Sequence, residues 1–423
     1  MMKIIHTSDW HLGQNFMFKD RKKEHAEFLD WLLELIKKES VDALIIAGDI
    51  FDTISPPNYA LKLYYSFLAG VSSTTACDTV IIGGNHDSVS TLNAPKGILK
   101  ALNVHVTGGI SSDISNEIIV VTNSFGKPGA IICAVPFLRD RDIRKSMAGE
   151  TFKEKSKALI DGIKNHYALA KDAALKKRAE IVDKNGIKIP ILATGHLFTE
   201  GSKINEDEGI RDIYVGTLGH VSLSTFPNEF DYVALGHLHR PQKIGGNNHI
   251  RYSGAPIPLS FSEAGNEKQV ICISFEENNE KPGITTFIIP EFQKLRRARG
   301  SLDEVIDQLK AFRLETPQKS IWVEVSILEK KWRPDIESII NDLAQELSLD
   351  ILALKNLKTS QDKRFKKTSP SETLDNYTPK AVFEKRVEKE GSLEDGMKEE
   401  LMHAFNEIMN SVNQNMGKPH ENP

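Results

Sequence analysis

The sequence predicts an α/β protein in which a layered sheet domain is followed by a small α+β domain and a helical tail. Three observations carry that reading. Short, β-branched apolar runs recur through the first 240 residues, and nearly all stop abruptly at Asp, Asn or His. Stretches with apolar residues at helical spacing separate the early runs. After residue 290 the pattern changes to a short alternation of strand and helix, and then to a polar stretch. Continuous apolar runs of this length mark strands buried on both faces, and their alternation with helices marks stacked α/β layers.

In chain order the strand runs are MKIIHTSD (residues 2–9), ALIIAGD (43–49), VIIGGNHD (80–87), AIICAVPF (130–137), IPILATGH (189–196) and YVALGHLH (232–239), of which only AIICAVPF lacks the polar ending. Glu24 to Lys38 reads as a helix with Phe28, Leu32 and Leu35 on one face, and Asn58 to Leu68 as a second. Glu150 to Val182, rich in Ala, Lys and Glu and poor in turn formers, reads as one long inserted helix. Val270 to Phe275 and Ile284 to Ile289 are further strands. The small domain is strand (Lys294 to Arg299), helix (Leu302 to Phe312), strand (Ile321 to Ile327), helix (Asp335 to Leu347) and strand (Asp350 to Leu354). The expected domains are 1–290, 291–358, a basic polar linker at 359–378, and C-terminal helices at 379–423. In those last helices Ser392 and Asp395 form a capping-box pattern ahead of a Met397, Leu401, Phe405, Ile408 and Val412 stripe.

At 423 residues, 40% hydrophobic and 26% charged, the chain is long and apolar enough for two or three cores, which excludes a collagenous or wholly disordered protein. Three widely spaced cysteines, Cys77, Cys133 and Cys272, fit neither a disulfide framework nor a thiolate zinc site, so a reducing compartment is expected. No run of about 18 apolar residues occurs, and MMKIIHTSDWH is not a secretory signal, so the expected location is cytoplasmic, on the nucleoid. The net charge of −4 argues mildly against a general polyanion binder. It hides a split, however. Residues 139–188 hold fourteen Lys and Arg against eight Asp and Glu, residues 355–367 six against one, and residues 371–423 six against eleven.

The strand ends collect a distinctive set: Asp9 and His11 (D-x-H), Asp49 (G-D-x-x-D), Asn85 and His86 (G-N-H-D), His196 (G-H), and His237 and His239 (G-H-x-H). A single such dipeptide is usually a turn, but five in order, each closing a strand run, form a joint signal. Two divalent ions roughly 3.5–4 Å apart need a bridging carboxylate and mixed N/O ligands, and they clamp the attacking and leaving oxygens of an in-line phosphoryl displacement. Asp, Asn and His ligation without thiolate suits Mn²⁺, Fe or Zn²⁺. The remaining eight histidines lack a motif. His6 is expected to pack or hydrogen-bond within its strand, and the others, His25, His105, His166, His220, His249, His403 and His420, at the surface or just behind the site.

These five motifs resemble the calcineurin-like metallophosphoesterase superfamily. HTSDWHLGQNF, AGDIFDT, GNHDS, ATGHL and ALGHLHRPQ resemble its bacterial SbcD branch of nuclease subunits, as do RDIYVGTL, YSGAPIPLSF and PKAVFEKR. The resemblance implies a β-sandwich flanked by helices, with a small capping domain and a partner-binding tail. It implies one ion held by Asp9, His11, Asp49 and His239 and another by Asp49, Asn85, His196 and His237, with Mn²⁺ favoured. It also implies that His86 gives a proton to the leaving oxygen or stabilises the transition state, and that Asp52 hydrogen-bonds and orients His86. Asp87 reads as a catalytic neighbour or a turn residue and stays outside the catalytic set. The implied activities are metal-hydroxide hydrolysis of DNA phosphodiesters, as a 3′-to-5′ duplex exonuclease and a single-strand and hairpin endonuclease, in repair, recombination and replication. The implied partners are a coiled-coil ATPase, SbcC, two of each chain, with a homodimer of nuclease domains. ATP belongs to the partner, since no G-x-x-x-x-G-K-[ST] loop is present here.

The site alone does not decide among phosphoesters. Phosphatases of the superfamily continue G-D-x-x-D with Arg-Gly, whereas Thr53 and Ile54 follow Asp52 here, which weakens a phosphomonoesterase reading. A small-molecule phosphodiesterase would have no use for the added domain and basic stretches, and a pure scaffold none for seven metal ligands. Phe16 and the loop from Gly13 to Phe18 are expected either to touch DNA or a twin subunit, or to pack locally.

Overall fold

Two six-stranded sheets form the centre of the molecule. The first runs, in spatial order, Gly283–Ile288, Gln269–Phe275, Met2–Thr7, Ala43–Ala47, Asp78–Ile82 and Val104–Thr107. Its last four strands are parallel, with Ile5 opposite Leu44 and Ile45 opposite Val80. The second runs Gln242–Ile244, Asn247–Tyr252, Tyr232–Gly236, Ile191–His196, Pro128–Cys133 and Ile118–Thr122, with its inner strands parallel. This structure, a computed structural model, describes residues 2–144, 150–202, 221–276, 281–315, 320–329 and 335–356, together with Phe383, Leu401, Met402 and Phe405.

Three apolar layers explain why the strand runs show no alternation of polar and apolar residues. Ile4, Ala43, Ile45, Val80 and Ile82 of the first sheet pack against Ala130, Ile132, Leu192, Tyr232 and Ala234 of the second. The opposite face of the first sheet, with Ile5, Leu44, Ile46 and Ile81, is covered by the helices Lys22–Glu39 and Asn58–Thr74. The far face of the second is covered by the long helix Phe152–Asn185, through Leu159, Ile163, Tyr167, Ala170 and Ala174. With apolar neighbours on both sides, most positions of these strands are apolar, and the few polar ones, such as His6 and Thr194, are buried with hydrogen-bond partners. The long helix starts where a Thr151–Glu154 capping box satisfies its free N–H groups and ends at Gly186 in the left-handed conformation. It extends past the expected Val182 to Asn185.

Buried polar ties lock the two sheets together. Asp42, at the start of one first-sheet strand, accepts from Lys3 N and Ser124 N, and Asp78, at the start of the next, accepts from Thr122 N and Oγ1. His6 Nδ1 lies 3.1 Å from the Tyr232 hydroxyl across the sheet interface. The three cysteines are buried free thiols, and burial raises the pKa of each, which keeps them unreactive. Two histidines expected at the surface or just behind the site are buried. His166 Nε2 pairs with Glu117 at 2.7 Å beneath the long helix, and His25 is fully enclosed under the first.

The small domain carries its own three-stranded sheet, Lys294–Gly300, Ile321–Ile327 and Leu349–Asn356, all parallel. The helices Leu302–Glu315 and Ile336–Glu346 close its core, with Val305, Leu309, Ile336 and Ile340 against Val323 and Val325. It joins the sandwich through Phe16, which is buried, stacks on Trp322 at 5.8 Å and meets Phe261 edge-on at 5.1 Å. Phe16 therefore packs between domains rather than facing solvent, whereas Phe18, at the tip of the same hairpin, is fully exposed. Residues Met1–Leu357 form one compact unit and Lys358–Pro423 another. In the second, the rings of Phe383 and Phe405 stack with centroids 4.3 Å apart. The expected linker and the rest of the expected C-terminal helices lie outside the described residues.

Burial lowers His6 from an ordinary value of 6.5 to about 3, with the Leu235 backbone opposing and Arg251 assisting. Between those values the unfolded chain takes up a proton that the folded chain refuses, so stability falls as pH drops below 6.5. Urea unfolding at pH 7.5 and 5.0 is expected to show a loss of up to about 1.4 kcal/mol per pH unit from this residue. His6→Asn should flatten the dependence by that amount. An unchanged slope in the variant would remove His6 as its source.

Candidate metal centre

The eight residues read from the strand ends, and Asp52 with them, converge on one edge of the sandwich. The strands ending at Thr7, Ala47 and Ile82 in the first sheet, and at His196 and Gly236 in the second, deliver them there. Beyond the carboxyl ends of parallel strands the chain must turn away, which leaves side chains of the first loop residues facing a shared crevice. Asp9, His11, Asp49, His196, His237 and His239 are buried, while Asn85, His86 and Asp52 are partly exposed at the mouth.

The backbone is strained at the ligands themselves. Asp9, His11, Asp49 and His237 all have positive φ, of 53°, 45°, 49° and 101°. Non-glycine residues in this region cost free energy and persist only where surrounding structure holds them. A ladder of main-chain bonds supplies that hold, with Asp9 N to Gly48 O, His11 N to Asp49 O, Leu12 N to Ile50 O and Asp52 N to Leu12 O. Two glycines are needed for space. A Cβ on Gly48, itself at φ +88°, would lie 2.3 Å from His196 Nδ1, and one on Gly84 would lie 2.2 Å from Asp49 Oδ1.

Three trios of candidate ligand atoms form among the described residues, each with its members within 4.8 Å of one another: His11, Asp52 and His86 at the mouth, and two deeper ones, Asp9, His11 and His239, and Asp49, His196 and His237. Asp49 connects the two deeper ones. Its Oδ1 accepts from His86 N at 2.9 Å, and its Oδ2 stands 3.1 Å from His196 Nε2 in one group and 3.6 Å from His11 Nε2 in the other. Asn85 Oδ1 lies 3.0 Å from His196 Nε2. Asp9 is tethered as firmly, with Oδ1 accepting from His237 N at 2.8 Å and Oδ2 from the Ser8 hydroxyl, itself 2.8 Å from Ser253 Oγ.

Hydrogen bonds at the far side of each ring set which nitrogen is left for a cation. His196 Nδ1–H donates to the Ala47 carbonyl at 2.9 Å, freeing Nε2. His11 Nδ1 donates to Asp52 Oδ1 at 3.1 Å, likewise freeing Nε2. Here the structure differs from the sequence expectation. The Asp52 carboxylate steadies His11, and it is the Asp52 carbonyl that accepts from His86 Nδ1, at 2.8 Å. The turn of G-D-x-x-D brings the main-chain carbonyl to His86 Nδ1 and leaves the Asp52 carboxylate within 4.8 Å of a His86 ring nitrogen.

The site fits divalent cations. His11 Nε2 and His237 Nε2 are buried without a hydrogen-bond partner, a costly arrangement that a metal would relieve. Burial lowers His196, yet Asp49 and Asp9 outweigh it and raise the group to about 9, so the local field favours positive charge. Asp49 stays ionised, since the surrounding imidazoles outweigh its burial. Burial, reinforced by His196, lowers His237 well below its ordinary value and keeps its lone pair available.

Asp87, left outside the catalytic set, proves to be the brace between two ligand loops. Its fully buried carboxylate accepts from Gly84 N at 2.8 Å, Phe51 N at 3.0 Å and Ile50 N at 3.1 Å. Burial and the nearby Asp49 raise it to about 6, against the pull of those three donors. The G-N-H-D string contains the residue, but two of its three partners lie more than thirty positions away.

Comparison with known proteins places these observations in a family. A calcineurin-like phosphoesterase family model matches residues 2–241, and a type 5 capsule protein repressor C-terminal domain model matches residues 291–391. The SbcD component of the nuclease SbcCD from Escherichia coli K12 is 38% identical over 97% of this chain and 98% of its own length. The proteins of the same name from Rhodobacter capsulatus and Bacillus subtilis are 36% and 33% identical, over 62% and 66% of this chain and 64% and 68% of their own.

Removing the Asp87 carboxylate strands three buried N–H groups, each worth about 1–3 kcal/mol. Asp87→Ala is expected to lower stability by about 3 kcal/mol or more in urea unfolding. Asp87→Asn, which keeps an acceptor oxygen, should lose less. Equal losses in both would mean that one acceptor oxygen in a side chain of the same shape does not suffice and that the loops require both carboxylate oxygens.

Proposed function

The chain belongs to the calcineurin-like phosphoesterase family, in its SbcD branch of SbcCD nuclease components, and from that membership we propose a two-metal nuclease acting on DNA ends and hairpins. It is a metal-dependent phosphodiester hydrolase. The observation that supports two ions is the position of Asp49 Oδ2 between His11 and His196.

Asp9, His11, Asp49 and His239 would hold one ion and Asp49, Asn85, His196 and His237 the other, with Mn²⁺ the best match to this N/O donor set. Bound there, the ions supply an activated water and neutralise charge on the phosphate. The chain's own residues do the rest. His86 lies at the mouth of the site, and the Asp52 carbonyl fixes its proton on Nδ1, which turns Nε2 toward an incoming phosphate. Burial lowers its pKa, partly offset by Asp49, so once protonated it gives its proton readily to a leaving oxygen. Asp52 acts through His11.

Substrate and partners follow from the branch. We assign 3′-to-5′ exonuclease activity on duplex ends and endonuclease activity on single strands and hairpins, in DNA repair, recombination and replication. The long helix carries much of the basic stretch 139–188 and would contact the phosphate backbone. The tail at 379–423 would dock on an SbcC coiled-coil ATPase, two of each chain, with paired nuclease domains and with ATP consumed by the partner. No described helix is long and apolar enough to cross a membrane, and the proposed location is the cytoplasm, at the nucleoid.

With Mn²⁺ and end-labelled hairpin DNA, His86→Ala should still bind metal and lose about 10²- to 10⁴-fold in cleavage. Unchanged cleavage would end the role given to His86. Activity on a chromogenic diester but not on hairpin DNA, with the ATPase partner present, would favour a small-molecule phosphodiesterase.

A further inference from the structure

We propose that Glu263 and Lys268 form a buried clamp that holds His239 in its metal-ligating orientation, making Glu263 a positioning residue for one of the two ions. The inference rests on the two-metal reading above and extends it to residues outside every motif at the strand ends.

Glu263 closes the short 3₁₀ turn Phe261–Glu263 and is 1% exposed. Its Oε1 stands 3.7 Å from His239 Nδ1, a nitrogen that is buried and has no hydrogen-bond partner. Lys268, 5% exposed, donates to Glu263 Oε2 and to the His239 carbonyl at 3.2 Å. The ring and the main chain of His239 thus face opposite ends of a single ion pair. The Ser260 hydroxyl adds a bond to Glu263 Oε1 at 3.3 Å, and Ala255 N adds one to the His239 carbonyl at 3.1 Å.

Burying an ion pair gains little stability over apolar packing and commonly serves specificity. Beside a metal ligand the gain is directional. A carboxylate at Nδ1 fixes the proton there, turns Nε2 toward the cation and raises the ring's basicity. The turn that carries Glu263 is itself anchored, because Phe261 sits in the aromatic cluster with Phe16, Leu295 and Trp322. Packing against the small domain therefore reaches to within two residues of the clamp.

The test uses the full chain and Mn²⁺ alone, followed by titration calorimetry, by the electron paramagnetic resonance signal of bound Mn²⁺, and by thermal unfolding with and without the ion. Wild type should bind two ions. Glu263→Ala should weaken one of them about 10- to 100-fold and spare the other. Glu263→Gln, which keeps an acceptor for Nδ1–H, should lose less. The metal-induced rise in unfolding temperature should shrink in the same order, whereas a purely structural role would lower the midpoint equally with and without metal. Two ions bound at wild-type affinity in the folded Gln and Ala variants would overturn the clamp and leave the two-metal reading intact. Should Glu263→Ala fail to fold, the near-isosteric Gln variant decides alone, and wild-type affinity there overturns the clamp. Fewer than two ions in the wild type would overturn the two-metal reading and the clamp with it.

Discussion

One carboxylate sits where two groups of imidazoles meet, and much of the site is arranged around it. Asp49 faces His11 and His196 together, because both rings donate from Nδ1 elsewhere and present Nε2 to the same oxygen. In a dry cleft that geometry requires positive charge between ring and carboxylate, from protons on the imidazoles or from cations in their place. The shape of the site is the shape of that requirement.

Holding such a cluster together strains the chain, and the sandwich offsets the strain. Four ligand residues adopt left-handed backbone conformations that ordinary loops would relax. They stay because parallel strands with buried faces fix the start of each loop, and because main-chain bonds run from one loop to the next. Asp87 closes the arrangement by gathering three N–H groups from two loops. Side chains around the candidate ligands, among them Asp52, Ser8 and Asp87, form the mould in which those residues are set.

The same logic extends outward to the small domain. Phe16 follows the D-x-H motif by only a few residues, and it stacks on Trp322 rather than reaching solvent. An aromatic pair of this kind is worth about 0.5–1.5 kcal/mol beyond its buried area. It binds the loop of the first ligands, the turn of Glu263 and the appended sheet into one packed neighbourhood. Charge is distributed to match: Asp9, Asp49, Asp52 and Asp87 gather at the candidate metal centre, and a basic stretch runs along the long helix.

Periodicity and turn chemistry made most of the fold legible. Strands buried on both faces read as unbroken apolar runs, and the long helix was legible from its Ala, Lys and Glu content and its scarcity of turn formers, whereas its Thr151–Glu154 capping box came with the structure. The residues of the candidate metal centre were legible for a similar reason, since side chains at strand ends sit next to their own strand in the chain. What remained hidden was every relation between distant segments. No local pattern shows that the Asp52 side chain turns to His11 while its carbonyl takes His86, that His166 is buried against Glu117, that Asp87 braces the loop of Ile50, or that Glu263 faces His239. Residue order alone was enough to specify the elements and the residues gathered at the strand ends, because both depend on neighbours in the chain. Which ligand is steadied by which partner was settled in three dimensions, because those pairings arise where two sheets and a small domain close on one another.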